Sequence, residues 1–216
     1  MATAQANSQA SAHESGFQRN GFTVLPTLLR PGVVRRLLQY ALARCELPST
    51  DRADVQVPGT PSVYCDPVMD AVLHALSSRV AQEAGGAVYP TYSYFRVYKH
   101  GDVLPKHQDR PACEISLTVS LGFDPSREPW TIWMDSGEGP SALKLWPGDA
   151  ALYRGMDVMH WREAFPGTYA AQLFLHYVYQ HGAQREWKHD KRASLRRTVG
   201  RILARAALGS VLHRHR

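Results

Sequence analysis

Beyond residue 86 the chain stops reading as helix, and from 87 to 179 it runs in short segments of strand period, the feature that most constrains its fold. Seven such segments are rich in β-branched and aromatic residues: 87–99 (AVYPTYSYFRVYK), 114–123 (EISLTVSLGF), 130–135 (WTIWMD), 142–146 (ALKLW), 150–154 (AALYR), 156–162 (MDVMHWR) and 169–179 (YAAQLFLHYVY). Clusters such as Ser136-Gly137-Glu138-Gly139-Pro140 and Pro147-Gly148-Asp149 punctuate them as turns. Ahead of the series stand a short strand at 21–26 stopped by Pro26 and a helix opened by Pro31, whose apolar stripe is Val33, Val34, Leu37, Leu38, Ala41 and Leu42. After a loop at 46–62, a second helix begins at Asp66-Pro67, buries Val68, Ala71, Val72, Ala75, Leu76 and Val80, and ends at Gly85-Gly86. Two helices followed by many short strands imply a mainly β (α+β) domain, a sandwich or jelly roll with the helices on one face.

The charge is unevenly placed. The chain of 216 residues carries +6 overall, yet residues 183–216 hold ten Lys or Arg against Glu186 and Asp190, a balance of +8, which leaves −2 for the rest. The expected organisation is a disordered tail at 1–15, one domain at 16–182 and a basic helical extension at 183–216. In the extension, Leu195, Val199, Ile202, Leu203, Ala206 and Leu208 form an apolar stripe from Arg192 to Leu212. That helix reads first as packed on the barrel and second as a contact for an anionic surface or acidic partner. Nucleic acid is disfavoured, because nothing but charge supports it. Cys45, Cys65 and Cys113 are too few and too scattered for a disulfide framework. The opening MATAQANSQASAHESG has neither the basic start nor the apolar core of a secretory signal, and no apolar run approaches a membrane span. The expected compartment is a reducing cytoplasm.

Within the strand series His107-Gln108-Asp109 recurs with His160, 53 residues downstream. Two imidazoles and a carboxylate can occupy one face of a metal and leave the other open, the facial triad suited to non-haem Fe(II). Residues 107 and 109 share a parity, so an extended chain points both side chains the same way, here at the start of the second long strand. The bland alternative is a surface His, a turn Asp and a core His160. Strand order favours the metal, because a jelly roll brings such distant strands side by side.

The segment Tyr98-Lys99-His100-Gly101 followed by Leu104-Pro105-Lys106-His107-Gln108-Asp109 resembles the Tyr-x-x-Gly-x5-His-x-Asp stretch of prolyl-4-hydroxylase-like Fe(II)/2-oxoglutarate dioxygenases. Leu145-Trp146-Pro147-Gly148-Asp149-Ala150, Leu152-Tyr153-Arg154-Gly155 and His160-Trp161-Arg162-Glu163 are similar to the turn and strand around their distal His, and Gln172-Leu173-Phe174-Leu175-His176-Tyr177 to their final strand. The resemblance covers about residues 90–180. It implies a double-stranded β-helix (jelly roll), Fe(II) held by His107, Asp109 and His160, and 2-oxoglutarate and O2 as cosubstrates, with succinate and CO2 released. It also implies that Tyr98 offers a hydroxyl to 2-oxoglutarate. A carboxylate at 109, where related halogenases have a small residue, points to hydroxylation or desaturation.

The resemblance breaks at one place. The family puts Arg or Lys on the last strand to pair with the far carboxylate of 2-oxoglutarate, and this chain has Gln172 there. A buried carboxylate needs a charged or strongly hydrogen-bonding partner, so Arg162, Arg96 and, with opposing parity, Arg110 are the candidate replacements. Thr118 and Ser120 could add hydrogen bonds. Tyr92, Tyr94, Trp130, Trp133, Trp146 and Trp161 read mainly as core, although Tyr92 and Tyr94 share a parity with Arg96 and Tyr98. The leading expectation is an oxygenase hydroxylating a small molecule, an amino acid or natural-product intermediate. A peptidyl (prolyl-type) hydroxylase and a non-catalytic cupin-like metal-binding module are the alternatives.

Overall fold

The computed structural model describes residues 15–124 and 128–192 of the chain. Ten strands form two antiparallel sheets. They are β1 (Phe22–Leu25), β2 (Ser62–Tyr64), β3 (Val88–Lys99), β4 (Leu104–His107), β5 (Ile115–Phe123), β6 (Ile132–Asp135), β7 (Ser141–Leu143), β8 (Ala150–Tyr153), β9 (Met159–Arg162) and β10 (Tyr169–Tyr179). The larger sheet runs β1-β8-β5-β10-β3-β2 and the smaller β4-β9-β6-β7. Helices α1 (Gly16–Asn20), α2 (Pro31–Glu46) and α3 (Pro67–Ala84) precede the main strand series. Together they make an antiparallel jelly roll with helices on one side.

Both long helices begin and end where their chemistry requires. Pro31 and Pro67 occupy first-turn positions, where a missing N–H costs nothing. The Asp66 carboxylate accepts from the amides of Val68 and Met69, a cap of about 1 kcal/mol. At the end of α3, Gly85 takes a left-handed conformation at φ 75°. Val34, Leu37 and Ala41 of α2 and Met69, Leu73 and Val80 of α3 then pack on Phe95, Val97, Leu117, Val119, Leu152, Leu173 and Leu175. Each large apolar side chain so buried contributes about 1.5–3 kcal/mol. Cross-strand pairing fixes which residues share that face: Leu173 lies opposite Phe95 and Val119, and Leu175 opposite Leu117.

All seven expected strands form, several of them shorter than read. The mismatches come from pairing across the chain. His107 is not at the start of the long strand β5; it ends the short β4, an edge strand of the other sheet. The expected loop at 46–62 contains the first residue of β2, which pairs with β3. Ser15, placed in the disordered tail by sequence, caps α1, accepting from the Gln18 amide while the Gln18 side chain accepts from the Ser15 amide. The 3-10 segment Arg185–Lys191 is broken at Lys188–Asp190, and the basic helix expected from Arg192 onward lies outside the described residues. No helix among the described residues is long and apolar enough to cross a membrane.

Candidate active site

Strands β4 and β9 bring the distant motif residues together. His107 pairs directly with His160 across the ladder, and their rings sit 4.2 Å apart. One turn beyond β4, the Asp109 amide donates to the Gly155 carbonyl at 2.8 Å, which turns the carboxylate back toward both imidazoles. Asp109 Oδ1 lies 3.6 Å from His107 Nε2 and 3.5 Å from His160 Nε2. The chain can come this close only because residue 155 is glycine. A Cβ there would sit 2.6 Å from Asp109 Oδ2 and 2.7 Å from Ser116 Oγ, and closer still to the Cys113 carbonyl.

The tautomers follow from the backbone. His107 Nδ1 faces the Pro105 carbonyl at 2.8 Å, and His160 Nδ1 faces the Val158 carbonyl at 3.0 Å. A carbonyl only accepts, so each Nδ1 carries the proton and each Nε2 lone pair is left for the site. Burial works against a charged Asp109, yet without a metal an imidazole that takes a second proton, on Nε2, donates to it, and these contacts hold the carboxyl far below the usual range. His107 is desolvated too, but its bond to Asp109 leaves its pKa raised. One O and two N donors lie within 4.8 Å of one another. Metal–ligand bonds of about 2.1 Å put neighbouring donors about 3 Å apart, so the two Asp109–imidazole distances are within roughly half an ångström of those a first-row divalent ion needs.

Behind Asp109 runs a relay that sequence reading missed. Ser116 Oγ donates to Asp109 Oδ2 at 2.7 Å, and His176 Nδ1 sits 3.0 Å from the same Oγ. With the serine proton committed to the carboxylate, His176 is the donor of the second bond. Burial lowers the His176 pKa to about 4, so the ring is neutral at pH 7. Asp109, Cys113 and His176 form a second cluster of ligand-type atoms, whose thiol is pushed up by burial and by Asp109 and is 3.0 Å from the Tyr92 hydroxyl. The available signal was parity: 116, 118 and 120 face 176, 174 and 172 across the β5–β10 ladder.

Deeper on the same face lies a cluster of polar groups without partners. The Tyr98 hydroxyl, Thr118 Oγ1, Ser120 Oγ and the Nε atoms of Arg96 and Arg162 are buried and make no hydrogen bond. Such atoms each cost about 1–3 kcal/mol, so they mark a place for a polar ligand. Arg162, 1% exposed, donates to the Trp130 carbonyl at 2.5 Å and to Gln172 Oε1 at 3.4 Å. It has no carboxylate partner among the described residues, and burial lowers its pKa to about 10. Gln172, the departure in the sequence, therefore meets a guanidinium that reaches across from the other sheet.

The other two candidate cations are already paired. Arg96 binds Asp54 at 2.7 Å and the Tyr94 hydroxyl at 2.8 Å. Arg110 binds Asp190 through two bonds of 2.9 and 2.8 Å and lies over Tyr92 at 4.6 Å. Arg110 lines the cavity despite its opposing parity, because the chain has left the strand by then. The cavity, of about 450 Å³, is walled by His107, Asp109 and His160, by Tyr64, Tyr92, Tyr94, Arg96, Tyr98 and Phe174, and by the loop residues Asp54, Val55 and Gln56. Trp130 stacks near Arg162, whereas Trp133 and Trp161 stack on each other at 6.1 Å on the far side of the smaller sheet, and Trp146 is 54% exposed.

No family model and no curated protein sequence matches the chain. Solved structures do match. The chain shares their jelly-roll fold. A prolyl-4-hydroxylase from Pseudomonas putida superposes with a TM-score of 0.61 at 17% identity, covering 76% of this chain and 95% of that one. HygX from Streptomyces hygroscopicus, with nickel, 2-oxoglutarate and hygromycin B bound, gives 0.60 at 17% identity over 78% and 86%. A Trichoplax adhaerens prolyl hydroxylase in complex with a hypoxia inducible factor peptide fragment gives 0.63 at 14% identity over 76% and 86%. At these identities the likeness establishes the jelly roll of the 2-oxoglutarate oxygenases and leaves the chemistry to the residues.

Proposed function

We propose that the chain is an Fe(II)- and 2-oxoglutarate-dependent oxygenase that hydroxylates a small molecule. The observation that carries this reading is the meeting, between the two sheets, of a His107–Asp109–His160 donor set and a group of buried donors with unpartnered atoms around Tyr98 and Arg162. Fe(II) bound at the first would supply oxygen activation coupled to decarboxylation of 2-oxoglutarate to succinate and CO2. His107 and His160 present fixed Nε2 lone pairs, while Ser116 and His176 orient Asp109. Arg162, lacking an acid of its own, supplies the charge for the distal carboxylate, and Gln172, Tyr98, Thr118 and Ser120 supply neutral hydrogen bonds. Arg96 is the less suitable cation, since Asp54 already neutralises it.

A cavity of about 450 Å³ falls in the range of small-molecule sites, which favours a compact substrate over a peptide. HygX is similar in fold and was crystallised with a small molecule; the Trichoplax enzyme was crystallised with a peptide. The test is to add 2-oxoglutarate to anaerobic Fe(II)-loaded protein, record the visible metal-to-ligand absorption, then admit oxygen and measure succinate. A band and succinate that both vanish in Asp109→Ala support the oxygenase. Metal binding without either would return the chain to the cupin-like module. Peptide and metabolite libraries, screened for a mass gain of one oxygen, separate the two substrate classes.

A further inference from the structure

We propose that Arg96 anchors an anionic group of the primary substrate, and that Asp54 occupies this position while the cavity is empty. The inference rests on the oxygenase reading for its context and on the Arg96 surroundings for its content. Arg96 sits in the middle of β3, between β10 and β2, and is 1% exposed. It lines the cavity that holds the metal donors. Its counter-ion comes from elsewhere: Asp54 belongs to the irregular stretch between α2 and β2, and the next residue, Val55, is 91% exposed. Of the two partners, Tyr94 is fixed in the same strand as Arg96, and Asp54 lies on a segment outside the sheets.

The pairing is also incomplete. Asp54 offers Oδ2 alone to Arg96, because Oδ1 accepts from the amides of Gln56 and Val57 in its own loop. Arg96 Nε is left buried without a partner. A guanidinium takes a carboxylate best through two parallel N–H bonds, and a free carboxylate could use Nε and Nη2 together. Around Arg96, Tyr94 and Phe174 pack at 6.0 Å, Tyr64 and Tyr92 at 5.0 Å, giving walls for a flat or apolar body. The ligand class is therefore a carboxylic acid with an aromatic or apolar body.

The experiment uses the full chain, loaded with Fe(II) and 2-oxoglutarate under argon, and titrates benzoate, phenylacetate and 3-phenylpropanoate against their three carboxamides by calorimetry. At least one acid should bind about tenfold tighter than its amide, the value of one good charge-assisted contact. Arg96→Gln should erase that preference and leave 2-oxoglutarate affinity unchanged. Asp54→Asn, a loop substitution that spares the fold should Arg96→Gln fail to fold, should tighten the acid several-fold by removing its competitor. Equal binding of acids and amides, or no binding of any acid, overturns the proposal. So does Arg96→Gln losing 2-oxoglutarate instead of the acid preference, which would make Arg96 the cosubstrate cation. The Fe(II)-loaded protein separates the two readings: an acid preference in protein that gives no metal-to-ligand band with Fe(II) and 2-oxoglutarate keeps the anion site and removes the oxygenase.

Discussion

The two faces of the six-stranded sheet are built from alternate residues of the same strands, and they differ in almost every physical respect. Leu117, Val119, Leu173 and Leu175 face the helices, are fully buried and belong to the apolar core. Ser116, Thr118, Ser120, Gln172 and His176, their immediate neighbours in sequence, are almost as buried but face the barrel interior. One face contributes stability through area removed from water. The other forgoes stability, since unpaired hydroxyls and an uncompensated Arg162 cost free energy until a ligand satisfies them. Stability and binding are thus separated by a shift of a single residue along each strand.

Substitutions can break that separation or sharpen it. On the inner side, Asp109→Ala should give no measurable iron-dependent succinate while metal-free protein still unfolds cooperatively in urea. On the outer side, Leu173→Ala should cost about 2–5 kcal/mol in urea unfolding, with Fe(II) binding to the remaining folded protein unchanged. Arg162→Met should raise the 2-oxoglutarate requirement at least about tenfold, or ~1.4 kcal/mol. It should leave metal-free stability equal or higher, because a buried unpaired charge is removed. A fall in stability with unaltered cosubstrate demand would make Arg162 structural. Thr118→Val exchanges an unpartnered hydroxyl for a methyl. It should weaken 2-oxoglutarate by a few-fold and shift the unfolding free energy by less than about 1 kcal/mol.

The smallest effect concerns pH and the Asp54 loop. Burial opposes its ionisation, but the Tyr94 hydroxyl and Arg96 outweigh that and hold the Asp54 carboxyl below its ordinary 3.8. A depressed folded pKa means the contact is fully present above the unfolded value and is lost as pH falls through the folded one. Amide exchange in residues 51–60 should therefore rise below about pH 4, while α3 and β10 stay protected. Uniform exchange across the three would deny that Asp54 fastens this loop.

Parity made much of this legible from sequence. The period-two runs located seven strands, and the shared parity of Tyr92, Tyr94, Arg96 and Tyr98 put them on one face. His107, Asp109 and His160 could be named as a set before any pairing was known. What stayed hidden depended on contacts between distant segments. The edge position of β4 follows from its pairing with β9, and no local signal marks it. The partners of Arg96 and Arg110, Asp54 and Asp190, lie 42 and 80 residues away along the chain. Ser116 and His176 look like ordinary strand residues until the β5–β10 register sets them opposite each other.

The placement of His107 on an edge strand carries a consequence for how the protein meets its surroundings. Among the described residues β4 has a hydrogen-bonded neighbour on one side only, and His107 with His160 is one of the two pairs that join it to β9. A divalent ion held by both would rivet the rim of the smaller sheet to its interior. Any ligand that binds only the folded state stabilises it by an amount that grows with the logarithm of its concentration, about 2.7 kcal/mol at a hundred times Kd. The lifetime of the rim, and with it the chain's resistance to proteases, would then track the supply of metal.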